Sequence, residues 1–553
     1  MDPTPATHDV IIMGGGLAGL TLALQLKRQF GDIDVLVLER RSHPVPHATH
    51  KVGESSVEIG AHYFDTVLGL KQHLDESQLR KFGFRFFFSE GRRDIDAVTE
   101  LGASRPLAIP SYQIDRGIFE NHLAEVAAQQ GVRFVDNAMV RRMALDPSPQ
   151  GLHRIEWTEG GEPRAAQCRW LVDACGRAGL LKRQLGLVQP NDHRAHAVWF
   201  RIGNRLTLDD WGQDPAWRAR CTPAARWLST NHMVGAGYWV WLIPLASGSH
   251  SVGIVADPDF HPLERMDSFD KAMDWLAEYQ PAVFDVLDGQ RDKLQDFAFM
   301  RKFSYGCKQV FSGERWALTG EAGLFLDPFY SPGSDFIAMS NTFICDLIGH
   351  DRAGRSVQAR AQLYDQIYHS FYDSTLALYQ DQYGLFGDPE VLPVKVIWDY
   401  TYYWGVLSQL FFHERLTDVA TLGNLRDELQ HCQRLNIAMQ GFLRAWSASS
   451  ARRNPARMLD QAALPWFSEL NASLRRPLAD AAAFQARIRE CVGLLRTLAA
   501  QIHAQALAQH PGLDDAELAA LLALPMPRAP IDPDAAPMLF APVADMADDA
   551  VAA

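Results

Sequence analysis

Near its N-terminus the chain runs from Val10-Ile11-Ile12-Met13 straight into Gly14-Gly15-Gly16-Leu17-Ala18-Gly19-Leu20, and this stretch constrains the fold more than any other. Four apolar residues suit a buried strand, the glycines a tight turn, and Leu20, Leu22, Leu24 and Leu26 the buried side of a helix. In this Gly-x-Gly-x-x-Gly pattern Gly14 allows the turn, Gly16 lets the backbone approach a pyrophosphate, and Gly19 lets the helix pack close to the strand. The helix N-terminus then turns its dipole and free N–H groups to the anion. A second apolar strand, Val35-Leu36-Val37-Leu38, ends at Glu39-Arg40, where an acid can accept the hydroxyls of an adenosine ribose. The pattern predicts an unphosphorylated dinucleotide and leaves NAD and FAD open.

With 553 residues, 47% of them apolar and 22% charged, the chain has material for two or more cores. Its formal net charge of −13 argues against a broad nucleic-acid or anionic-membrane surface, since either polyanion requires a basic patch and none is evident. The apolar runs are too short to cross a bilayer, and the first residues lack a basic segment with an apolar one behind it, so a cytoplasmic enzyme is expected. Seven scattered cysteines without Cys-x-x-Cys point to packed, reduced thiols. His47 with His50, and His193 with His196, lack further ligands nearby and read as loop histidines, so no metal is expected.

Further along, Lys51-Val52-Gly53-Glu54-Ser55-Ser56-Val57-Glu58 has two readings: a serine N-cap with Glu58 closing a capping box, or a strap across the cofactor. Lys81 opens an aromatic run to Phe88 and stands beside five phenylalanines, either as a snorkelling edge residue or as a cation against a deep apolar pocket. Residues 109–135 read as a short strand into Asp115-Arg116, a helix through Phe119, Leu123 and Val126, and another strand, continuing a βαβ order. Asp173, at the end of an apolar strand, either accepts a ribityl hydroxyl or caps the next helix.

Between about 195 and 300, alternating runs predict an antiparallel sheet laid over the cofactor. In its clearest strand Trp239 and Trp241 share one face, as core or as a ligand wall, and residues 248–255 pair with it as a hairpin. Trp316-Ala317-Leu318-Thr319-Gly320-Glu321 repeats the strand-then-glycine logic. The loop Asp327-Pro328-Phe329-Tyr330-Ser331-Pro332-Gly333-Ser334 is either an anion-facing turn or a plain surface loop. The expected organisation is a cofactor domain over 1–340 with the sheet interleaved, a helical region over 341–524, and a disordered Ala/Pro/Asp-rich tail over 525–553.

Together these landmarks resemble the flavin-dependent halogenases, from the opening glycines to about residue 415. The most specific match is Trp239-x-Trp241-x-Ile243-Pro244, similar to that family's Trp-x-Trp-x-Ile-Pro signature. The resemblance implies an α/β chain: a Rossmann-like FAD-binding fold of the hydroxylase (glutathione-reductase-like) type, an antiparallel substrate sheet and a mainly helical C-terminal region. It implies a catalytic Lys81, with Trp239 and Trp241 partitioning substrate from flavin. It implies FAD contacts from Gly14, Gly16, Gly19, Glu39, Arg40, Lys51, Gly53, Glu54, Ser55, Arg116, Gly320, Glu321 and Asp327, and halide held around Ser331, Gly333 and Ser334. FADH2 from a separate flavin reductase would react with O2, chloride or bromide would become hypohalous acid, and Lys81 would direct it to an electron-rich aromatic, free or carrier-protein-bound.

Three residues depart from the family pattern. Glu321 stands where Asp is usual, Tyr330 where tryptophan halogenases carry a glutamate, and Pro332 has no N–H to offer a halide. Tyr330 brings the chain closer to enzymes acting on phenols, pyrroles or similar aryl groups. Pro332 keeps open a flavin-dependent monooxygenase or reductase of the same fold, and a flavin-loaded scaffold in a biosynthetic complex is a third reading.

Overall fold

The computed structural model describes residues 6–47, 52–148, 150–525 and 538–541. The opening strand, Ala6–Met13, lies mid-sheet, parallel to Val35–Leu38 on one side and to Glu162–Asp173 on the other. Arg133–Val135 extends the parallel part beyond Val35–Leu38, and Trp316–Leu318 adds a parallel partner to Glu162–Asp173. An antiparallel pair, Ala138–Ala144 with His153–Glu159, completes the sheet. Helices cover it, so Val10, Ile11, Ile12 and all of Val35–Leu38 are buried, which is why those strands read as continuous apolar runs. The first helix, Leu17–Gln29, packs against Arg116–Gln129 and Gly333–Arg352.

The second sheet has eight strands in the order Leu294–Met300, His196–Ile202, His250–Ala256, Tyr238–Pro244, Thr230–Gly235, Phe84–Phe87, Glu100–Gly102, Met458–Asp460. Strands drawn from 195–300 pair antiparallel, with Tyr238–Pro244 and His250–Ala256 forming the expected hairpin. The sheet does not end there, which corrects the expectation of a purely antiparallel unit. Thr230–Gly235 runs parallel to Phe84–Phe87, and Met458–Asp460 runs parallel to Glu100–Gly102. A parallel neighbour cannot arrive through a tight turn, so both pairings join segments far apart in sequence that local alternation does not reveal. Side-chain alternation splits the central strand between two cores: Tyr238, Val240 and Leu242 face one, Trp239, Trp241 and Ile243 the other.

Helices dominate from Gly333 onward. Gly333–Arg352 passes through residue 340, so the expected domain break there falls inside a helix whose core is continuous with that of the first sheet. Asp388 interrupts the helices by accepting the N–H groups of Glu390 at 2.9 Å and Val391 at 3.1 Å. Most of the expected tail, 526–537 and 542–553, lies outside the described residues. Within 538–541 Leu539 is buried and the Ala541 carbonyl accepts from Arg457 at 3.0 Å, so this part is packed and the expectation of disorder is corrected for it. Among the described residues no helix is long and apolar enough to cross a membrane, and all seven cysteines are free thiols.

Candidate active site

The glycine turn has the geometry its sequence demands. Gly14 adopts φ +108°, and a Cβ there would stand 2.3 Å from the Ala174 carbonyl; a Cβ on Gly19 would stand 1.9 Å from the Gly14 carbonyl. A Cβ on Gly16 would meet nothing within 4 Å, so the turn is open on the side where a pyrophosphate fits. Glu39 accepts the Gly15 N–H at 2.7 Å and the Arg41 N–H at 2.8 Å, which holds its carboxylate at the lip of the turn, with Arg40 exposed beside it. Gly19→Ala is expected to weaken FAD binding about 5- to 150-fold, because overpacking of this kind costs about 1–3 kcal/mol. Titration of flavin fluorescence checks it.

Next to the turn lies a cleft of about 1200 Å3, its open mouth included. Gly53, Glu54, Ser55, Arg116, Gly320, Glu321 and Asp327 all line it, as do Trp239, Trp241, Ser331, Gly333 and Ser334. Lys51 lies outside the described residues. The segment 52–55 is a strap: Arg116 donates to the Val52 carbonyl at 2.7 Å, and the buried Glu54 carboxylate pairs with Arg201 at 2.8 Å. Burial raises the Glu54 pKa and Arg201 opposes it, so this carboxylate braces the strap against the second sheet. Glu321 pairs with Arg177 at 3.2 Å, and its carbonyl accepts from Tyr305 at 2.7 Å.

Two local alternatives are resolved. The capping box does not form: the helix Glu58–His62 starts after Val57 without a side-chain cap, while Ser56 Oγ donates to the Tyr112 carbonyl at 3.0 Å. Both Asp173 oxygens are taken by backbone N–H groups, Cys175 at 2.9 Å and Leu181 at 2.7 Å, so Asp173 serves as a cap.

The indoles are tied from behind. Trp239 donates to the Tyr383 hydroxyl at 3.1 Å; Tyr383 donates to Asp327 at 2.5 Å, and the same carboxylate oxygen meets His193 Nε2 at 2.7 Å. Trp241 donates to Ser251 at 3.1 Å, and the two rings lie 5.7 Å apart. His193 lies in the loop expected of it, though buried, while His196 opens the strand His196–Ile202, which corrects its loop reading; no cluster of three metal-ligating side chains occurs among the described residues. The link of Tyr383 and His193 through Asp327 escapes sequence reasoning because that carboxylate is 56 and 134 residues away from them.

Lys81 is 4% exposed and does not snorkel. Its ammonium donates to Ser55 Oγ at 2.9 Å and to the Ser56 carbonyl at 3.2 Å, and sits 3.3 Å from the centre of the Phe84 ring. Burial drives its pKa well below the usual lysine range, with Glu58 and Asp335 pulling it back up. Since Ser55 also lines the cleft, Lys81 stands one hydrogen bond behind the cleft wall.

Two smaller cavities lie between this lysine and the cleft, each sharing wall residues with the next. One, beside Lys81, is walled by Val57, Glu58, Phe84 and Tyr400 among others. The next shares Val57, Phe84 and Tyr400 with it and adds Tyr330, Pro332, Asp335, Phe336, Tyr379 and Tyr403. Pro332 and Phe336 also line the cleft. The wall common to cleft and tyrosine chamber is therefore Pro332 and Phe336. Trp239 and Trp241, placed by sequence as the partition, line the cleft and neither of these two cavities, because their indole N–H groups are anchored on Tyr383 and Ser251.

The acids of the chamber are satisfied. Asp335 accepts from the Gly60 N–H at 2.8 Å and from Tyr403 at 2.7 Å, and burial pushes its pKa up to about 8. Asp399 accepts from Tyr330 at 2.8 Å, Lys395 at 2.7 Å and Gln440 at 2.8 Å. At the loop expected to hold halide, Ser331 adopts φ +52° and its N–H is bound to the Pro328 carbonyl at 2.9 Å. That leaves Gly333 and Ser334, the first residues of Gly333–Arg352, whose N–H groups have no intrahelical acceptor.

Known proteins share this architecture. A family profile described as an NAD(P)-binding Rossmann-like domain matches residues 12–76, and one described as tryptophan halogenase matches residues 102–384. The flavin-dependent halogenase chlA of Dictyostelium discoideum is 26% identical over 448 residues, which cover 74% of this chain and 71% of that one. A 1H-pyrrole-2-carbonyl peptidyl-carrier-protein brominase of Pseudoalteromonas luteoviolacea is 24% identical over 349 residues, 62% of this chain and 77% of its own. The crystal structure of halogenase PltM in complex with phloroglucinol and FAD has the same fold, with a TM-score of 0.56 at 17% identity over 89% of this chain and 96% of that one. With the halogenase profile spanning just over half of the 553 residues, and a glycine turn and cleft that fit FAD, the chain belongs to the tryptophan halogenase family of flavin-dependent halogenases, oxidoreductases that use FADH2 and O2.

Proposed function

We propose that this protein halogenates a small, uncharged phenol- or pyrrole-type aromatic held in the tyrosine chamber, with Lys81 directing the electrophile. The observation that carries this reading is the continuous set of walls: cleft and chamber meet at Pro332 and Phe336, and chamber and lysine cavity meet at Phe84 and Tyr400. Bound reduced flavin, with O2 and halide, supplies hypohalous acid. The N–H groups of Gly333 and Ser334 hold the halide at the cleft face, one donor short because of Pro332.

Lys81 polarises the hypohalous acid by donating to its oxygen. A ring carbon takes the halogen, the released hydroxide takes the lysine proton and leaves as water, and the ring proton returns to the amine. The chamber selects against amino acids. No lysine or arginine lines it among the described residues, Lys395 behind Asp399 is paired, and Lys81 beyond Phe84 is assigned to the oxidant, so no cation is left for a carboxylate, while the buried Tyr379 hydroxyl has no partner and can meet a substrate oxygen. A separate flavin reductase supplies the reduced cofactor.

The test combines the protein with a flavin reductase, FAD and NADH, and offers phenols, free and carrier-loaded pyrroles, and tryptophan in chloride, bromide or halide-free buffer. Mass spectrometry is expected to find halogenated phenol or pyrrole and unchanged tryptophan. Hydroxylated product without halide would replace this reading with the monooxygenase; flavin reoxidised no faster than free FADH2 would replace it with the scaffold.

A further inference from the structure

The short helix Glu58–His62 begins with a glutamate that is 5% exposed and whose Oε2 makes no hydrogen bond. Glu58 and Lys81 line the same small cavity, with Tyr400 on its wall. A carboxylate withdrawn from water with an unpartnered oxygen is costly unless a proton or a cation compensates it, and Lys81 is the cation at hand. Four further groups face this pair. Asp335 has both oxygens engaged, by Gly60 and Tyr403. His232 is kept neutral by burial and by the lysine charge, and the Tyr400 and Tyr403 hydroxyls are held protonated by burial first and by neighbouring acids second. Glu58 is thus the group with a free oxygen to answer Lys81.

We propose that Glu58 is a positioning residue for the halogenation step: its carboxylate faces Lys81 across the small cavity, favours the ammonium, and so sets the pH at which the lysine passes between ammonium and amine. This rests on the lysine chemistry proposed above. The electrostatics agree with the geometry. Burial pushes the Glu58 carboxyl up and the Lys81 ammonium down; the Trp404 indole and, after it, the Lys81 charge draw Glu58 back, and the Glu58 charge is the largest influence drawing Lys81 back. Removing the carboxylate leaves desolvation of Lys81 less opposed, so its proton leaves at lower pH. Whichever form of the lysine acts, the limb of the pH–rate profile that it controls moves toward acid.

The experiment uses full-length protein and cyanate, a small reagent that adds to neutral amines: nitrogen bonds the isocyanate carbon and the amine proton ends on the carbamoyl nitrogen. Carbamylation of Lys81, followed by peptide mass spectrometry against pH, is expected to have a midpoint lower by about one pH unit or more in Glu58→Gln than in wild type. Lys27 and Lys71 should not move. Glu58→Asp keeps the charge and gives an intermediate midpoint, and it serves alone if Glu58→Gln does not fold. Coincident midpoints overturn the proposal, as does an unreactive Lys81 in both proteins with superimposable halogenation profiles. An unreactive Lys81 with a profile moved toward acid supports it. A Lys81→Ala protein that halogenates at the wild-type rate would overturn the lysine chemistry while leaving a shifted carbamylation midpoint intact, so the two failures are distinguishable.

Discussion

Lys81→Ala is expected to lower the rate of aromatic halogenation about 10²- to 10⁴-fold, the range for losing a positioned acid–base group, without loss of FAD binding. The separation follows from position. The ammonium is hidden behind Ser55 and touches the strap only through the Ser55 hydroxyl and the Ser56 carbonyl, so oxidant formation in the cleft does not need it. Hypohalous acid made in the variant should escape, and a soluble trap such as monochlorodimedone should capture it at close to the rate of flavin turnover. Lys81→Met, which keeps an apolar stem against Phe84, should behave in the same way. Lys81→Arg should not rescue, because a guanidinium keeps its proton and cannot pass it to the released hydroxide. Wild-type product rates in Lys81→Ala would remove the role.

How far the site was legible depended on how local each constraint is. The glycine turn was readable because its φ angles and close approaches involve neighbours in one short segment, apart from the Gly14 contact with Ala174. The shared face of Trp239 and Trp241 was readable because alternation along a strand is fixed by the backbone. What those indoles separate was not readable, since it depends on Tyr383, Ser251 and the placement of Pro332 and Phe336. Lys81 was ambiguous for a related reason. Whether an amine among phenylalanines snorkels or is buried is decided by Ser55, Ser56 and Tyr400, brought together only by the tertiary fold. The place of Glu58 was open because Ser55-Ser56-Val57-Glu58 carries a capping pattern; the serines instead bond to Lys81, Thr230 and Tyr112, leaving the acid to the interior.

The second large effect concerns the strand that carries Phe84. Arg85, Glu100 and Arg226 are each 0% exposed. Glu100 accepts from Arg85 Nη1 and from Arg226 Nε at 2.8 Å; Arg226 continues to Asp209 at 3.1 Å, and Arg85 donates to the Ala103 carbonyl at 2.6 Å. Two guanidinium groups are thus balanced by two carboxylates inside the protein. Glu100→Ala removes one acid and leaves two buried cations facing one, so it is expected to cost about 3–5 kcal/mol of stability, read as a fall in the urea midpoint of tryptophan fluorescence. The double variant Arg85→Met, Glu100→Leu deletes one charge of each sign, leaves Arg226 with Asp209, and fills the space with apolar atoms. It should regain most of that loss, because a buried ion pair stabilises little relative to well-packed apolar residues. Activity should follow stability, since Glu100 is paired with Phe87 across the sheet and so anchors the strand that sets Phe84 under the lysine. Equal losses in the single and double variants would show that the cluster acts through shape and packing, with charge balance contributing nothing.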